Sequence, residues 1–432
     1  MNQGRRTVLG WALLGALEPV WASTPGAGPA HAGLDRALAA IAADPACELA
    51  SLSVLAIRDG KVAYEGAFGR RRIGNGEPDL PATPGTLYRI ASVSKLMTTL
   101  GLMRLVESGR FDLDADVFGY LGFTLRNPHF PERAITLRHL LTHTSSLRDE
   151  AGYSFPAGTS LRTFLVPGSA ATYAKEAGPG DWFTYCNLGW GLIGTMMERA
   201  TGERFDRLMQ RLLLDPLGLD ASYNPAELPP AALANLATLY RKRTVDTEVW
   251  NADGPWIAQA DDIGARPPSP PPGLDRYVIG ENATPFSPTG GLRISARGLG
   301  VVMRMLMDGG VHGGKRMLQA ATLERMFARQ WTANGSNGDS MNGFFNAWGL
   351  GNAQFPDQPG MRLVEGFDAV GHLGDAYGLR SVFAFDRKRR NGLVVLVGGT
   401  SSDPGTRKGR YSALASFEEN ILTSMFRHAI AT

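Results

Sequence analysis

The chain has 432 residues, 44% hydrophobic and 20% charged, a globular composition with length enough for two domains. Its 44 basic and 41 acidic residues leave a net charge of +3, too slight an excess to imply nucleic acid or a membrane surface as partner. Two cysteines, Cys47 and Cys186, exclude a disulfide framework, and no CxxC spacing suggests a metal.

The first stretch, MNQGRRTVLGWALLGALEPVWAS, has Arg5-Arg6, an apolar run from Val8 to Leu17 and a small-residue exit at Ala22. It reads as a signal peptide, residues 1–22, of the twin-arginine type. A cut after Ala32 is the alternative, and the mature protein is expected to be periplasmic or secreted. The run is too short to span a bilayer as a helix.

Residues 34–41 give a short amphipathic helix. Two apolar runs around Asp59-Gly60 give an antiparallel hairpin. Residues 76–86 are a Pro/Gly loop. In RIASVSKLMTTLGLMRLVESG, Leu96, Leu100, Met103 and Val106 recur at spacings of four and three, which predicts a helix with one buried stripe, ended by Gly109.

Residues 135–219 have a helical pattern. Residues 222–288 are proline-rich and weakly periodic, either irregular cover near a site or partly disordered. A helix over 299–307 follows. GHLGDAYGLRSVFAFD and NGLVVLVGG then read as antiparallel strands joined around Asn391-Gly392, before a closing amphipathic helix.

The expected fold is α/β, of the α+β type. Residues 33–115 and 285–432 build an antiparallel sheet from both chain ends, flanked by helices. Residues 116–284, with the proline-rich part at 222–284, form an inserted, mainly helical domain, and the active site lies between the two.

Ser92 and Lys95 stand three residues apart at a helix start, so both side chains leave from one face. Serine needs a base within hydrogen-bond reach. The helix N-terminus favours a forming oxyanion, and an apolar setting strips the lysine of its proton. S-x-x-K alone is a weak pattern. Two further segments follow it in order: Tyr185-Cys186-Asn187 in FTYCNLGWGLIG and His372-Leu373-Gly374 in AVGHLGDAYGLRS.

Together these resemble the three motifs of the serine β-lactamase and DD-peptidase superfamily. The nearest likeness is to the class C β-lactamase group, with its esterase and D-amino-acid peptidase relatives. LYRIASVSKLMTTLGLMRLVESGRFDLDADVFGYL, ITLRHLLTHTSSL, LLDPLGLDASY and PTGGLRISARGLGVVMRMLMDGG carry the likeness across roughly residues 34–220 and 285–400.

The resemblance implies an exported serine hydrolase that cleaves an amide or ester through an acyl-enzyme at Ser92. Lys95 and Tyr185 share the acid–base work, and the sequence leaves open which of them takes the serine proton. Asn187 holds Lys95 and a substrate amide. His372 stands where many relatives carry a carboxylate-binding lysine, and its imidazole is read as a donor to substrate. Gly374 lets the substrate backbone approach. The backbone N–H groups of Ser92 and Asp375 form the oxyanion hole, provided that the Asp375 carboxylate turns to the opposite face of its strand.

No cofactor or metal is expected. His139 and His143 in HLLTH lack the glutamate of HExxH, and Asp112 to Asp116 mimics only the start of a calcium loop. Ser146 replaces the glycine usual in relatives. The substrate is a small molecule or peptide: a β-lactam, a D-amino-acid peptide or a carboxylic ester. The alternatives are a carboxylesterase with little β-lactamase activity and a penicillin- or peptidoglycan-binding sensor that does not turn over. Oligomeric state and any pairing of the cysteines are not readable.

Overall fold

The computed structural model describes residues 31–431, apart from 75, 167–170, 246, 248 and 264–266. The expected signal peptide at residues 1–22 lies outside them. Among the described residues, no helix is long and apolar enough to cross a membrane.

After α1 (Ala32–Ala42), the hairpin of β1 (Ser51–Arg58) and β2 (Lys61–Arg72) turns at Asp59 and Gly60, with φ of +51° and +77°. Two consecutive positive φ values match the right-handed twist of the strands they join. β3 (Leu80–Pro81) edges β2, and β4 (Leu87–Arg89) leads into α2 (Val93–Glu107). The following stretch carries α3 (Phe118–Leu121), α4 (Leu137–Leu141), α5 (Leu161–Leu165), α6 (Leu188–Thr201), α7 (Phe205–Met209) and α8 (Pro230–Ala234).

The described part of the proline-rich segment covers the site and includes regular strand. β5 (Leu239–Lys242) and β6 (Trp256–Ala260) pair antiparallel within it. Trp250 and Trp256 sit against the Arg241 and Lys242 cations, at 5.3 Å in each case. These contacts give the segment packing that no periodicity announced.

β7 (Arg293–Ser295) pairs with β4, then come α9 (Ala296–Met307), a ribbon of β8 (Val311–His312) and β9 (Lys315–Arg316), and α10 (Ala320–Phe327). The remaining strands are β10 (Trp331–Thr332), β11 (Ala347–Trp348), β12 (Ala353–Phe355), β13 (Ala369–Ala376), β14 (Leu379–Asp386), β15 (Asn391–Val397) and β16 (Gly399–Thr400), before α11 (Ser416–Met425). The main sheet has nine strands in the order β10-β11-β12-β13-β14-β15-β1-β2-β3. β16 joins β5 in parallel, tying the proline-rich ribbon to the sheet's end.

Both chain ends therefore meet at β1, which pairs with β2 on one side and β15 on the other, with Val54 opposite Gly66 and Val395. β1 and β15 are buried on both faces, and their side chains alternate between two cores. Leu52, Val54 and Ala56 pack with Leu38 of α1 and Leu422 of α11. Leu55 and Ile57 pack with Leu96 of α2 and Leu299 of α9.

Three sequence expectations are corrected. α2 is enclosed all round from Val93 to Met103, so its apolar stripe was only part of its buried surface. The segment read as one strand over GHLGDAYGLRSVFAFD is two, folded at Tyr377-Gly378 with φ of +58° and +85°. Asn391 and Gly392 lie inside β15 and are not the turn that joins it to β14.

Candidate active site

β4 enters α2 through Ala91, whose φ of +46° is a position that an L-residue holds only under constraint. This corner sets Ser92 at the head of α2, where the helix dipole is positive and no side chain caps the first turn. Lys95, one turn on, is wholly buried. Its Nζ lies 3.0 Å from Ser92 Oγ, 2.7 Å from Asn187 Oδ1 and 3.1 Å from the Thr289 carbonyl oxygen. Burial pulls the lysine from its ordinary 10.5 to about 7, against the opposing charge of Asp149.

The partner set serves both protonation states of the amine. Asn187 Oδ1 and the Thr289 carbonyl only accept, so they take two of its N–H groups. The Ser92 hydroxyl is the one partner that can do either: it accepts a third N–H from the ammonium, and it can donate to the lone pair once the amine is neutral.

The Tyr185 phenol and the Ser92 hydroxyl share the cavity wall, and Lys95 Nζ sits 4.8 Å over the phenol ring. The ring stacks on Phe345 at 5.0 Å and tilts against His143 at 4.4 Å. This enclosure raises its pKa above the ordinary phenol value, desolvation being the largest cause. A phenolate is thus disfavoured where an unprotonated lysine is favoured.

Asn187 closes the N-terminus of α6, and its orientation is fixed by Asp149, which the sequence reading missed. Asp149 accepts from Asn187 N at 2.7 Å, Asn187 Nδ2 at 2.9 Å, Leu188 N at 3.0 Å and Cys186 Sγ at 3.3 Å. It caps the helix from 38 residues away. With Nδ2 held there, Asn187 Oδ1 faces Lys95 and the Thr289 hydroxyl, 2.9 Å away. No sequence signal announced Asp149, because Asn187 at the N-cap position is itself a residue that commonly caps helices.

On the sheet side, a Cβ at Gly374 would lie 2.6 Å from the Ile90 carbonyl and 3.2 Å from Ser92 N, so the strand and the nucleophile's backbone are in close approach. The Tyr377-Gly378 turn makes Ala376 and Leu379 a hydrogen-bonded closing pair, so Asp375, opposite Arg380, directs its N–H away from β14. The Asp375 side chain points to the face opposite Gly374. It is exposed and pairs with Arg380 at 3.1 Å. Charge repulsion of an oxyanion near Ser92 N is thereby avoided.

His372 departs from expectation. Its ring is wholly buried, with Trp348 at 5.4 Å and Tyr185 at 6.3 Å between centroids, and burial lowers its pKa to about 3. Nδ1 lies 2.6 Å from the Leu373 carbonyl, so Nδ1 carries the proton and Nε2 is a bare acceptor without a hydrogen-bond partner. The buried imidazole is held neutral, and its Nδ1–H is taken by the backbone. It borders Tyr185 from behind.

His139 and His143 do not form a metal pair on one helix face. α4 ends at Leu141, and His143 turns away with φ +56° to accept from Cys186 N at 2.9 Å. Asp114 and Asp116 are ion-paired with Arg138 and Arg126. Ser146 keeps a glycine-like φ of +63° and accepts from Asn127 Nδ2 at 3.1 Å, so the turn survives the replacement. Cys47 and Cys186 are both free and buried.

The site opens on a cavity of about 1430 Å³ whose wall includes Ser92, Tyr185, Asn187 and Gly374. Arg89 and the proline-rich ribbon's Arg241 and Gln259 also line it. None of these last three carried a sequence signal.

A family model described as Beta-lactamase matches residues 34–416. Among curated proteins, esterase EstB of Burkholderia gladioli is 33% identical over 186 residues, 39% of this chain and 46% of that protein. The D-alanyl-D-alanine-carboxypeptidase/endopeptidase AmpH of Escherichia coli is 31% identical over 40% of this chain and 45% of that one. The chain thus spans less than half the length of these relatives. A penicillin-binding protein homologue from Caulobacter crescentus superposes with a TM-score of 0.66 at 18% identity, covering 94% of this chain and all of that one. A D-amino acid amidase from Ochrobactrum anthropi gives 0.62 at 20% identity, over 91% and 99%. These likenesses extend to the fold.

Proposed function

This chain belongs to the beta-lactamase family, and on that footing we propose that it is an exported serine hydrolase of the class C-like group that cleaves an ester or amide through an acyl-enzyme at Ser92. Lys95, as the neutral amine, takes the Ser92 proton while Oγ attacks the carbonyl carbon. The carbonyl oxygen becomes an oxyanion held by the N–H groups of Ser92 and Asp375. Tyr185, protonated, passes a proton to the leaving oxygen or nitrogen as the C–O or C–N bond breaks. Lys95 passes the serine proton on to Tyr185 and is again neutral; water then attacks the acyl carbon and gives its proton to Lys95, which returns it to Ser92 Oγ as the acyl C–O bond breaks. Asn187 holds the lysine and leaves one N–H for a substrate carbonyl.

The observation that carries this reading is the partner set of Lys95: two obligate acceptors and one hydroxyl around a buried amine whose pKa is drawn to about 7. Esters and D-amino-acid amides are the favoured substrates, in keeping with relatives named esterase and D-aminopeptidase. The paired arginines and apolar run at the N-terminus support export, to the periplasm or beyond.

The test is a panel of nitrocefin, a p-nitrophenyl ester and a D-amino-acid peptide, run with the protein and its Ser92→Ala variant. Hydrolysis of an ester or peptide that is lost in the variant is expected. A stable adduct without product would instead identify a sensor, and unchanged turnover by Ser92→Ala would sink the assignment.

A further inference from the structure

Two guanidinium groups meet beside Ser92 where β4 pairs with β7, Arg89 lying opposite Arg293. Among the described residues, one carboxylate serves them. Asp261 binds Arg293 in bidentate fashion, Nε to Oδ2 at 3.0 Å and Nη2 to Oδ1 at 2.7 Å, and both of its oxygens are occupied. Arg89 is left with a single bond, from Nε to the Gly290 carbonyl at 3.1 Å. Among the described residues, its two Nη groups have no hydrogen-bond or ion-pair partner.

The rest of the setting fixes where that charge points. Gly290 follows Thr289, whose carbonyl holds Lys95, so Arg89 is anchored to the same segment as the catalytic amine. The Tyr377 ring lies 4.7 Å from the Arg89 guanidinium carbon and covers one of its faces. Arg89, Tyr377 and Ser92 line one cavity. The carboxylates of that wall do not neutralise the arginine. Asp149 holds Asn187, Asp375 pairs with Arg380, and Glu418 accepts from Ala415 N. Glu150 is on the wall but forms no ion pair with Arg89. A partly buried cation without a counter-charge is costly, and a planar guanidinium with both Nη groups open is shaped for a carboxylate.

We propose that Arg89 reads an anionic group on the substrate, so that the enzyme prefers esters or amides bearing a carboxylate to their neutral counterparts. This rests on the acyl-enzyme reading of Ser92 and narrows its substrate class. His372, neutral and enclosed, offers no cation for that purpose; among the other cations on the wall, Arg380 pairs with Asp375 and Arg241 lies against Trp250, whereas Arg89 stands three positions before the nucleophile.

Two ester pairs test it: p-nitrophenyl butyrate against the p-nitrophenyl monoester of glutarate, with the charge on the acyl side, and phenyl phenylacetate against its 3-carboxyphenyl analogue, with the charge on the leaving group. In at least one pair the carboxylated ester is expected to have the higher kcat/KM. Arg89→Gln should cut that carboxylate-to-neutral ratio by ~10-fold or more, Arg89→Lys by less, and added salt should lower it in the wild type. A ratio unchanged in Arg89→Gln for both pairs, or an equal fall in both members of each pair, would overturn the proposal. Calorimetric titration of Ser92→Ala with glutarate and 3-hydroxybenzoate separates the two readings. Binding that disappears when Arg89→Gln is added supports the anion site even if the wild type hydrolyses neither pair, an outcome that would sink only the hydrolase reading. Equal binding, or none, by both proteins counts against the anion site.

Discussion

Lys95 sets the pH behaviour. Its folded pKa is lowered, so the ammonium dominates below about 7 and the amine above it. Acylation is expected to rise with pH and to level off above about 7, read as kcat/KM against pH. Asp149 opposes the fall of that pKa and also fixes the Asn187 amide. Asp149→Asn should therefore move the midpoint to lower pH and reduce kcat/KM at the plateau by ~10-fold, with the lost cap costing about 1–3 kcal/mol of stability. A variant that loses stability with an unmoved midpoint would reduce Asp149 to a cap. The Ser92–Lys95 spacing was legible because a helix start needs only local geometry. Asp149 was not, because its meeting with Asn187 is made by the tertiary fold.

At the scale of elements, the site depends on β13 pressing against the β4–α2 corner. Ser381 Oγ donates to the Ile90 carbonyl at 2.9 Å and bonds β14 to that corner. A methyl at Gly374 would sit 2.3 Å from Ser381 Oγ and 2.6 Å from the Ile90 carbonyl. Gly374→Ala should thus push the strand away from Ser92 and lower kcat by ~10²-fold, since a misplacement of about 1 Å is that costly. Wild-type turnover in Gly374→Ala would show that the close approach is dispensable. Hairpin β1–β2 was readable from Asp59-Gly60, where turn chemistry is local. The Tyr377-Gly378 turn was hidden because tyrosine rarely takes a positive φ. The ribbon of β5 and β6 was hidden because its order comes from docking on β16.

For the whole molecule, the sheet is completed only when β15 reaches β1, so the two ends of the chain stabilise each other. The apolar runs of β1 and β15 were plain in the sequence, and strands at both ends with helices between them pointed to one shared sheet, but the β1–β15 pairing and its register were not readable. The catalytic lysine is a burden on this core. Its fall from 10.5 to about 7 corresponds to roughly 5 kcal/mol at ~1.4 kcal/mol per pH unit. The unfolded chain binds the proton more tightly between those pH values, so stability rises with pH across that window. Lys95→Met should raise the melting temperature most at pH 6, with the gain shrinking towards pH 10. A destabilised Lys95→Met at pH 6 would mean that its hydrogen bonds outweigh its burial.

The most direct measurement is the mass of the protein quenched in acid during turnover of a p-nitrophenyl ester, followed by peptide mapping. An acyl group on Ser92 is predicted, forming ~10²-fold more slowly in Lys95→Ala. An adduct on another residue, or one that forms at the wild-type rate without the lysine, would contradict the account.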